Sequence, residues 1–387
     1  MSRRALVVVL DACGAGALPD ADDYGDANTN TLGHLAQAVG GLDLPNLERL
    51  GLGSILPLEG VRVGGPDITP VLHGRLHPLG AGKDSTSGHW ELMGVVTPVA
   101  PPTFPDGFPP EVVAAIERIA GRAVIANEPS DGLAAIERFG ERQLAGGGLI
   151  VYTSQDSVLQ LAAHEDAVPV QELHAICAAV RRELASGPCA VGRVIARPFA
   201  GAAGAFERTA GRRDFALAPP SRSYLQELQD AGVPVHGVGK VSQLFDGVGF
   251  DAAHPGATNA EAIATTGELL ARLDGGLVFT NLIETDQVYG HRKDVKGFHT
   301  ALREIDAAVA RWREQLGPQD LLVLTADHGC DPLHPGTDHT REHAPLLAAF
   351  PGHGGRRHDG PLADVGASVL RWLAGREAPA LPGTSFV

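Results

Sequence analysis

Residues 321–331 read LLVLTADHGCD, and residues 335–343 read PGTDHTREH. The apolar run at 321–324 predicts a buried β-strand. Asp327 and His328 follow where this strand ends, and His339 lies in the Gly- and Pro-containing loop after it. Carboxylate and imidazole are ligands that suit a divalent metal. The stretch therefore predicts an α/β fold with a metal-binding strand end, and other parts of the chain must supply the remaining ligands.

The composition restricts the class of protein. A chain of 387 residues is long enough for two domains, or for one large domain with an insert. The formal net charge of -15 argues against nucleic acid and anionic membrane surfaces as partners. The four cysteines show no CxxC spacing, which favours a reducing compartment and a cytoplasmic location. No apolar stretch approaches the roughly 18 residues of a membrane span, and no protein partner is indicated.

Acidic residues also follow two other apolar runs. Asp11 comes directly after residues 5–10, and Asp286 and His291 follow the predicted strand at 276–280. Because parallel strands gather their carboxyl ends along one edge of a sheet, these side chains can converge with those of the opening stretch. Six mixed oxygen and nitrogen ligands are too many for one tetrahedral zinc ion and suit two divalent ions. Such a pair stabilises an in-line displacement at phosphorus.

A nucleophile for that chemistry is available in residues 80–94, which read GAGKDSTSGHWELMG. Ser85, Thr86 and Ser87 stand in a row before a probable helix, and a helix N-terminus favours an anionic oxygen or a phosphate. The alternative is an ordinary Ser/Thr helix cap beside a solvated Lys83. The segment is not a Walker P-loop, because the GxxxxGK[ST] pattern is absent.

Proline-rich stretches at 98–110 and 218–220 divide the chain. We expect a metal-binding catalytic core formed by residues 1–98 and 219–387, and an inserted α/β domain at 99–218. Within the insert, a strand is predicted at 190–195. Residues 55–79, which belong to the core, are predicted to be mixed and rich in loops. Arg193 and Arg197 alternate with apolar residues, which is costly unless they are paired or face a cleft.

Several motifs resemble the phosphopentomutase family of the alkaline phosphatase superfamily, over nearly the whole chain. The resemblance is carried by Asp11-x-x-Gly-x-Gly, TLGH at 31–34, GKD at 82–84, SGHWE at 87–91, YTSQDSV at 152–158, GRVIARPF at 192–199, GHR at 290–292 and the stretch 325–342. It implies an alkaline-phosphatase-like α/β core, in which helices flank a mostly parallel sheet, with a smaller inserted α/β cap domain.

The resemblance also implies an activity and its cofactors. Such enzymes interconvert ribose 1-phosphate and ribose 5-phosphate, and the 2-deoxyribose pair, in nucleoside and deoxyribonucleotide catabolism. Two Mn²⁺ ions are implied: Asp286, His291 and His339 would hold one, and Asp11, Asp327 and His328 the other. A phosphorylated hydroxyl at Ser85 would give a bisphosphate intermediate, with a sugar 1,6-bisphosphate such as glucose 1,6-bisphosphate as activator.

The implied substrate-binding residues are Ser154, Asp156, Arg193, Arg208 and Lys240. Arginine suits this task because its planar fork matches phosphate oxygens. A closed cap would keep water from the phosphoenzyme, which separates a mutase from a phosphatase.

Two positions depart from the family pattern. Ser85 stands where Thr is usual, and the adjacent Thr86 is an alternative nucleophile. Glu284 stands where the family has Asp, and we interpret Asp286 as the ligand and Glu284 as its support. Other functions remain open: another metal-dependent phosphomutase or phosphatase of the superfamily, or an inactive protein that binds a metal or a sugar phosphate.

Overall fold

The structure is a computed structural model, and it describes residues 3–154 and 157–387. The chain forms two compact units, one made of Met1–Ala100 and Pro219–Val387 and the other of Pro101–Ala218. The strands are β1 (Arg4–Leu10), β2 (Leu72–His77), β3 (Val124–Pro129), β4 (Leu149–Thr153), β5 (Val158–His164), β6 (Arg193–Ala200), β7 (Glu207–Arg208), β8 (Arg213–Ala216), β9 (Val235–Val238), β10 (Ala252–His254), β11 (Gly276–Leu282), β12 (Leu321–Thr325), β13 (Ala344–Ala349) and β14 (Gly360–Pro361).

The helices alternate with these strands for much of the chain. They are α1 (Thr31–Val39), α2 (Pro45–Leu50), α3 (Leu52–Ile55), α4 (Ser85–Leu92), α5 (Pro110–Ala120), α6 (Gly132–Gly146), α7 (Val170–Glu183), α8 (Tyr224–Asp230), α9 (Val241–Leu244), α10 (Asn259–Arg272), α11 (Val295–Gln315) and α12 (Asp364–Ala374). A 3₁₀ turn covers Ala21–Tyr24 and a π-helical turn covers Thr285–Gly290.

The first unit is built on an eight-stranded sheet with the order β10-β9-β11-β1-β12-β13-β2-β14. Only β13 runs against its neighbours, and the other adjacent pairs are parallel. Every residue of β11 and β12 is buried, as expected for parallel strands covered on both faces. The predicted α/β class with a mostly parallel, helix-flanked sheet is confirmed.

Register places the ends of three strands side by side. Leu10 of β1 lies opposite Leu282 of β11, and Val9 of β1 lies opposite Thr325 of β12. The segments that leave these strands therefore start from one edge of the sheet. This edge positions the candidate site.

The interpretation of residues 55–79 as mixed and rich in loops did not identify β2. Its residues alternate between buried and partly buried, but His73, Arg75 and His77 obscure the apolar pattern in the sequence. β2 forms because β13 supplies an antiparallel partner, with Leu76 opposite Ala344. This pairing connects residues far apart in the chain, so local sequence does not reveal it.

The second unit contains a sheet with the order β3-β4-β5-β6-β7, and β8 also pairs with β6. Helices α5 and α7 pack on an apolar cluster that includes Leu159 and Val194. The strand predicted at 190–195 begins instead at Arg193 and continues to Ala200. It tolerates Pro198 because this residue lies between the stretches paired with β8 and β7, where no N–H group is needed.

Within the described residues, no helix combines the length and the apolar character needed to cross a membrane.

Candidate active site

Six side chains converge at the edge where β1, β11 and β12 end. The ligand atoms of Asp11, Asp327 and His328 lie within 4.8 Å of one another, and so do those of Asp286, His328 and His339. His291 completes the cluster, with its Nε2 3.1 Å from His339 Nε2. We call Asp11, Asp327 and His328 the inner ligand set, and Asp286, His291 and His339 the outer ligand set.

The inner ligand set is buried and held by hydrogen bonds. The Asn281 amide donates to Asp11 Oδ2 at 2.9 Å, and the Ala12 backbone N–H donates to Asp327 Oδ1 at 3.2 Å. His328 Nδ1 lies 3.0 Å from the Gly329 carbonyl oxygen, so Nδ1 carries the proton and Nε2 presents its lone pair to the cluster. His328 Nε2 is 3.4 Å from Asp11 Oδ1.

The outer ligand set depends on the π-helical turn. In this turn the His291 N–H donates to the Asp286 carbonyl, five residues earlier. Asp286 and His291 therefore lie one full π-helical turn apart. His339 reaches the cluster from the loop 330–339, which is closed at its neck by the bridge between Gly329 and Thr340. The Nδ1 atom of His291 contacts the Thr337 carbonyl at 2.7 Å, which leaves Nε2 facing His339 and Asp286.

The pKa values of Asp11 and Asp286, at the two ends of the cluster, are shifted in opposite directions. Burial raises the pKa of Asp11 well above its usual value, and the nearby Asp327 and Asp286 carboxylates raise it further. Burial also opposes ionisation of Asp286, but the His339 and His291 imidazoles hold its pKa below the ordinary aspartate value. Burial lowers the pKa of His328, so this imidazole favours its neutral, metal-binding form.

The donor set fits divalent cations. Among the described residues, the buried oxygens Asp286 Oδ1 and Asp327 Oδ2 receive no hydrogen bond of regular geometry. Asp286 Oδ1 lies 3.2 Å from His339 Nε2, and two imidazole Nε2 atoms face each other at 3.1 Å. Two imidazole nitrogens and a carboxylate oxygen this close together offer lone pairs that one cation can share. Carboxylate and imidazole ligands in these numbers suit two ions.

Ser85 lies at this cluster, as the first residue of α4. Its Oγ is 3.1 Å from His328 Nε2 and 3.5 Å from Asp11 Oδ1. Asp84 caps the helix by accepting from the N–H groups of Thr86 and Ser87. At Gly88 an added Cβ would lie 2.5 Å from the Asp327 carbonyl oxygen, so the absence of a side chain lets α4 approach the inner ligand set closely.

His89 connects the helix of Ser85 to the inner ligand set. Its Nδ1 lies 2.8 Å from the Ser85 carbonyl oxygen and 3.1 Å from Asp327 Oδ2. Both side chains are fully buried. Burial would raise the pKa of Asp327, yet His328 and His89 hold it below the usual value. An imidazole that contacts a candidate metal ligand in this way, without binding the metal itself, orients the ligand's carboxylate.

Glu342 ties together the loops that carry the ligands. Its carboxylate accepts from the backbone N–H of Gly16 at 3.1 Å, from the N–H and hydroxyl of Thr31 at 2.9 and 2.7 Å, and from the Thr340 hydroxyl at 2.7 Å. The loop after β1, the start of α1 and the neck of loop 330–339 therefore meet at one buried carboxylate. Burial raises its pKa, which these donors oppose.

A second network anchors the loop before Ser85. Asp26 Oδ2 accepts from Lys83 Nζ at 3.0 Å and from the Arg341 backbone N–H at 2.8 Å. The Arg341 guanidinium donates to the Gly82 carbonyl at 2.8 Å and pairs with Asp20 at 2.9 Å. Lys83 is thus a structural partner rather than a solvated side chain.

Glu284 supports the outer ligand set without joining it. Its carboxylate accepts from the Asn259 backbone N–H at 2.7 Å, and the Asn259 side chain accepts from the Glu284 backbone N–H at 3.1 Å. This reciprocal pair joins the start of α10 to the start of the π-helical turn.

The predicted substrate-binding residues are distributed over both units. Lys240, in the first unit, donates to Gln287 Oε1 at 2.7 Å. In the second unit Ser154 follows β4 and Arg193 begins β6, with its Nη1 3.7 Å from Asp214 Oδ2. Arg208 is exposed on β7, opposite Phe199 near the other end of β6.

Phe199, the partner of Arg208, lies six residues after Arg193 on β6, which corresponds to about 20 Å of backbone. The structure does not bring these two positions together on the sheet. Asp156 lies outside the described residues.

Sequence reasoning missed His89, Asn281 and Glu342. His89 had a usable signal, because it lies four residues after Ser85 on one helix face. Asn281 is a polar residue inside an apolar strand, which also marks a functional position. Nothing local distinguishes Glu342 from a surface glutamate, since three of its four donors belong to Gly16 and Thr31, more than 300 residues earlier in the chain.

Comparisons with known proteins agree with this chemistry. A model described as Metalloenzyme superfamily matches residues 3–375. A phosphopentomutase of Anaeromyxobacter sp. (strain K) is 49% identical over 395 residues, with 100% of this chain and 99% of that protein covered. A phosphopentomutase of Caldanaerobacter subterraneus subsp. tengcongensis is 44% identical over 392 residues, with 100% and 98% covered.

Among solved structures, the PH0037 protein from Pyrococcus horikoshii aligns over 98% of both chains, with a TM-score of 0.50 and 14% identity. That likeness concerns the fold alone. With the metalloenzyme match over residues 3–375, it confirms the predicted alkaline-phosphatase-like core.

Proposed function

The chain belongs to the phosphopentomutase family of the metalloenzyme superfamily and is an isomerase that transfers a phosphoryl group within its substrate, and we propose that it does so through a phosphoenzyme on Ser85. Its substrates are α-D-ribose 1-phosphate and D-ribose 5-phosphate, together with the 2-deoxyribose pair. The observation that carries the proposal is the position of Ser85 Oγ, 3.1 Å from His328 Nε2 where both ligand sets meet.

Each of the two ligand sets would hold one divalent ion, which we propose to be Mn²⁺. When bound, the ions neutralise charge on the transferring phosphoryl group and orient it for in-line displacement. The chain's own contribution is to hold the ligands in place. The Asn281 amide fixes Asp11, His89 fixes Asp327, and the carbonyls of Gly329 and Thr337 select the protonated nitrogen of His328 and His291.

The phosphoryl group moves twice in each cycle. The phosphorus–oxygen bond to Ser85 breaks as a bond forms to the free hydroxyl of the sugar monophosphate, which gives a bisphosphate and a free serine. The bisphosphate then returns its other phosphoryl group to Ser85 Oγ, and the isomeric monophosphate leaves. The N-terminus of α4, whose Asp84 cap leaves Ser85 at the first helical position, favours the anionic phosphoserine.

Ser85 rather than Thr86 carries the phosphoryl group. Ser85 Oγ contacts members of the inner ligand set, whereas the Thr86 backbone N–H contacts the Asp84 cap and its side chain is buried. The test is intact-mass and phosphopeptide analysis after incubation with glucose 1,6-bisphosphate. We expect one phosphate on Ser85, none in Ser85→Ala, and an unchanged yield in the matched Thr86→Val variant. Phosphate on Thr86 would overturn the assignment.

The second unit supplies substrate contacts in this proposal. Arg193 and Arg208, whose places along β6 are about 20 Å apart, contact different groups of the substrate, among them the non-reacting phosphate and the sugar hydroxyls, with Ser154. Lys240 is the proposed contact from the first unit. The guanidinium fork, which can give two parallel hydrogen bonds to one phosphate, supports these roles. A rise in KM with little change in kcat for Arg193→Lys would support uniform substrate binding by this residue.

The activity assay separates this function from its alternatives. We expect purified protein with Mn²⁺ to convert ribose 5-phosphate to ribose 1-phosphate, with stimulation by glucose 1,6-bisphosphate. Free phosphate as the main product would instead identify a phosphatase. We place this activity in nucleoside and deoxyribonucleotide catabolism in the cytoplasm, where a reducing environment fits the four free cysteines.

A further inference from the structure

We propose that Cys330 is a fourth protein ligand of the outer ligand set when the bound ion is thiophilic, such as Zn²⁺, Co²⁺ or Cd²⁺. The inference rests on the two-metal site of the proposed function, but it does not depend on the mutase reaction. It makes the two metal positions chemically different, because a sulfur ligand is available at one of them.

The geometry brings the thiol to the outer ligand set. Ligand atoms of Asp286, His291 and Cys330 all lie within 4.8 Å of one another. With metal bonds of about 2.0–2.3 Å, neighbouring ligand atoms of a tetrahedral site are roughly 3.3–3.8 Å apart. Movements of about 1 Å or less, shared between the side chains, therefore place one ion within bonding distance of all three.

A second observation indicates an ion at this place. Asp286 Oδ1 is buried, and in the part of the chain that the structure describes no hydrogen bond of regular geometry reaches it. Asp286 retains only 6% of its accessible surface. A buried carboxylate oxygen 3.2 and 3.5 Å from two imidazole nitrogens, with a thiol nearby, is typical of a closed metal site with mixed oxygen, nitrogen and sulfur ligands.

The thiol is also held against the turn that carries two of the ligands. A Cβ added to Gly290 would lie 3.1 Å from Cys330 Sγ, which leaves no room for a larger residue there. The Sγ atom lies 3.8 Å from the Asp338 carbonyl oxygen in the loop that carries His339. Cys330 thus stands between the two segments that supply the outer ligand set.

The other three cysteines do not share this position. Cys13 is fully buried near Asp11 and Thr285, but no triad of ligand atoms within the described residues includes it. Cys177 lies in the apolar core of the second unit, and Cys189 packs against the same cluster. Sulfur ligation is therefore available to the outer ligand set and to no comparable group among the described residues.

Ligation exchanges a proton for a metal bond. The S–H bond breaks, the proton passes to buffer, and the thiolate donates its electron pair to the ion. Thiolate favours Zn²⁺, Cd²⁺ and Co²⁺ over Mn²⁺, whereas the carboxylates of the inner ligand set suit the harder ion. We therefore expect zinc to replace manganese first at the outer position, which yields a protein with two different metals.

The test uses cobalt as a spectroscopic probe of the full-length, metal-free protein. Visible d–d bands report that Co²⁺ is bound, and a near-ultraviolet charge-transfer band reports a thiolate–cobalt bond. We expect both signals in the wild type and in the Cys13→Ala control. In Cys330→Ser the d–d bands should persist, the charge-transfer band should disappear, and zinc affinity should fall roughly tenfold or more.

The outcomes separate this inference from the proposed function. Cobalt bound without a charge-transfer band in the wild type, or a band that persists in Cys330→Ser, would overturn the role of Cys330 alone. No cobalt uptake at all would overturn the two-metal site. X-ray absorption of the zinc-loaded wild type, where a sulfur at about 2.3 Å is expected, decides the question even if the variant fails to fold.

Discussion

The inner and outer ligand sets use similar side chains but are held in different ways. Asp11 and Asp327 follow adjacent parallel strands, and Asn281, the Ala12 amide and His89 contact their carboxylates. Asp286 and His291 instead occupy a π-helical turn, and His339 lies in a loop. The His291 side chain is 31% exposed, whereas that of His328 is 2% exposed.

This difference indicates that the two ligand sets hold their ions with different firmness. A ligand set fixed by the sheet and by buried hydrogen bonds keeps its geometry when the ion leaves. A set carried by a turn and a loop can open locally at lower free-energy cost, because fewer buried contacts are lost. We therefore expect a tightly held inner ion beside Ser85 and an outer ion that exchanges more readily.

The largest expected effect follows loss of an inner carboxylate. Asp327→Asn should remove the inner ion and lower kcat by more than the 10–100-fold that is typical of indirect ligand contacts. Metal analysis of dialysed protein should then find one bound Mn²⁺ per chain rather than two. Asp306→Asn is the matched control, since Asp306 accepts backbone hydrogen bonds from Asn46 and Leu47 in α2, remote from the ligands. This control should lower thermal stability and leave the metal content unchanged.

A chelator should release the two ions at different rates. We expect EDTA to release the outer ion quickly and the inner ion slowly, and His291→Ala should eliminate the fast phase while keeping the slow one. Stopped-flow measurement with a metal indicator gives both rates. A single phase in the wild type, with both ions leaving together, would contradict the division between the sets.

Glu342→Gln should weaken the binding of both ions, because Glu342 holds segments that carry both ligand sets. An amide oxygen replaces one carboxylate oxygen, and its NH₂ group then faces a donor such as the Thr31 N–H. We expect a roughly 10–100-fold loss of Mn²⁺ affinity, as for other indirect ligand supports. Calorimetric titration measures it. If the melting temperature falls while both Mn²⁺ affinities stay at wild-type values, Glu342 supports the fold alone.

The smallest effect concerns acid sensitivity remote from the ligands. On β9 and β10, Nδ1 of His236 lies 3.0 Å from Nε2 of His254. Burial and the neighbouring His254 lower the pKa of His236, and burial and Arg272 lower that of His254. Their stabilising contribution is present above the ordinary histidine pKa of about 6.5 and is lost as the pH falls through the lowered folded values.

Denaturant unfolding of the metal-free protein at several pH values tests this, and His254→Asn should flatten the acid slope. A parallel pH series on the Mn²⁺-loaded protein, followed with a metal indicator, shows whether the ions leave before the fold opens. If both ions are released only as the protein unfolds in acid, in the wild type and in His254→Asn, the two ligand sets do not differ in their sensitivity to acid.

Much of the fold and of the candidate site could be predicted because the signals are local. The apolar runs before Asp11, Asp286 and Asp327 identify strands, and parallel sheets bring such ends together. The strand β2 escaped prediction because its partner β13 lies far along the chain. The π-helical turn escaped as well, since no local pattern specifies the extra residue between Asp286 and His291.

The sequence alone determined the α/β class, the order of the strands that carry ligands, and the types of side chain at their ends. These depend on hydrophobic periodicity and on chemistry that each residue carries with it. Only the tertiary structure decided which of these side chains lie close together, the contact of Ser85 with His328, and the burial of Glu342 and Cys330 beside the candidate ligands. The reason is that burial, pKa and ligand geometry are properties of neighbours, and these neighbours come from segments hundreds of residues apart.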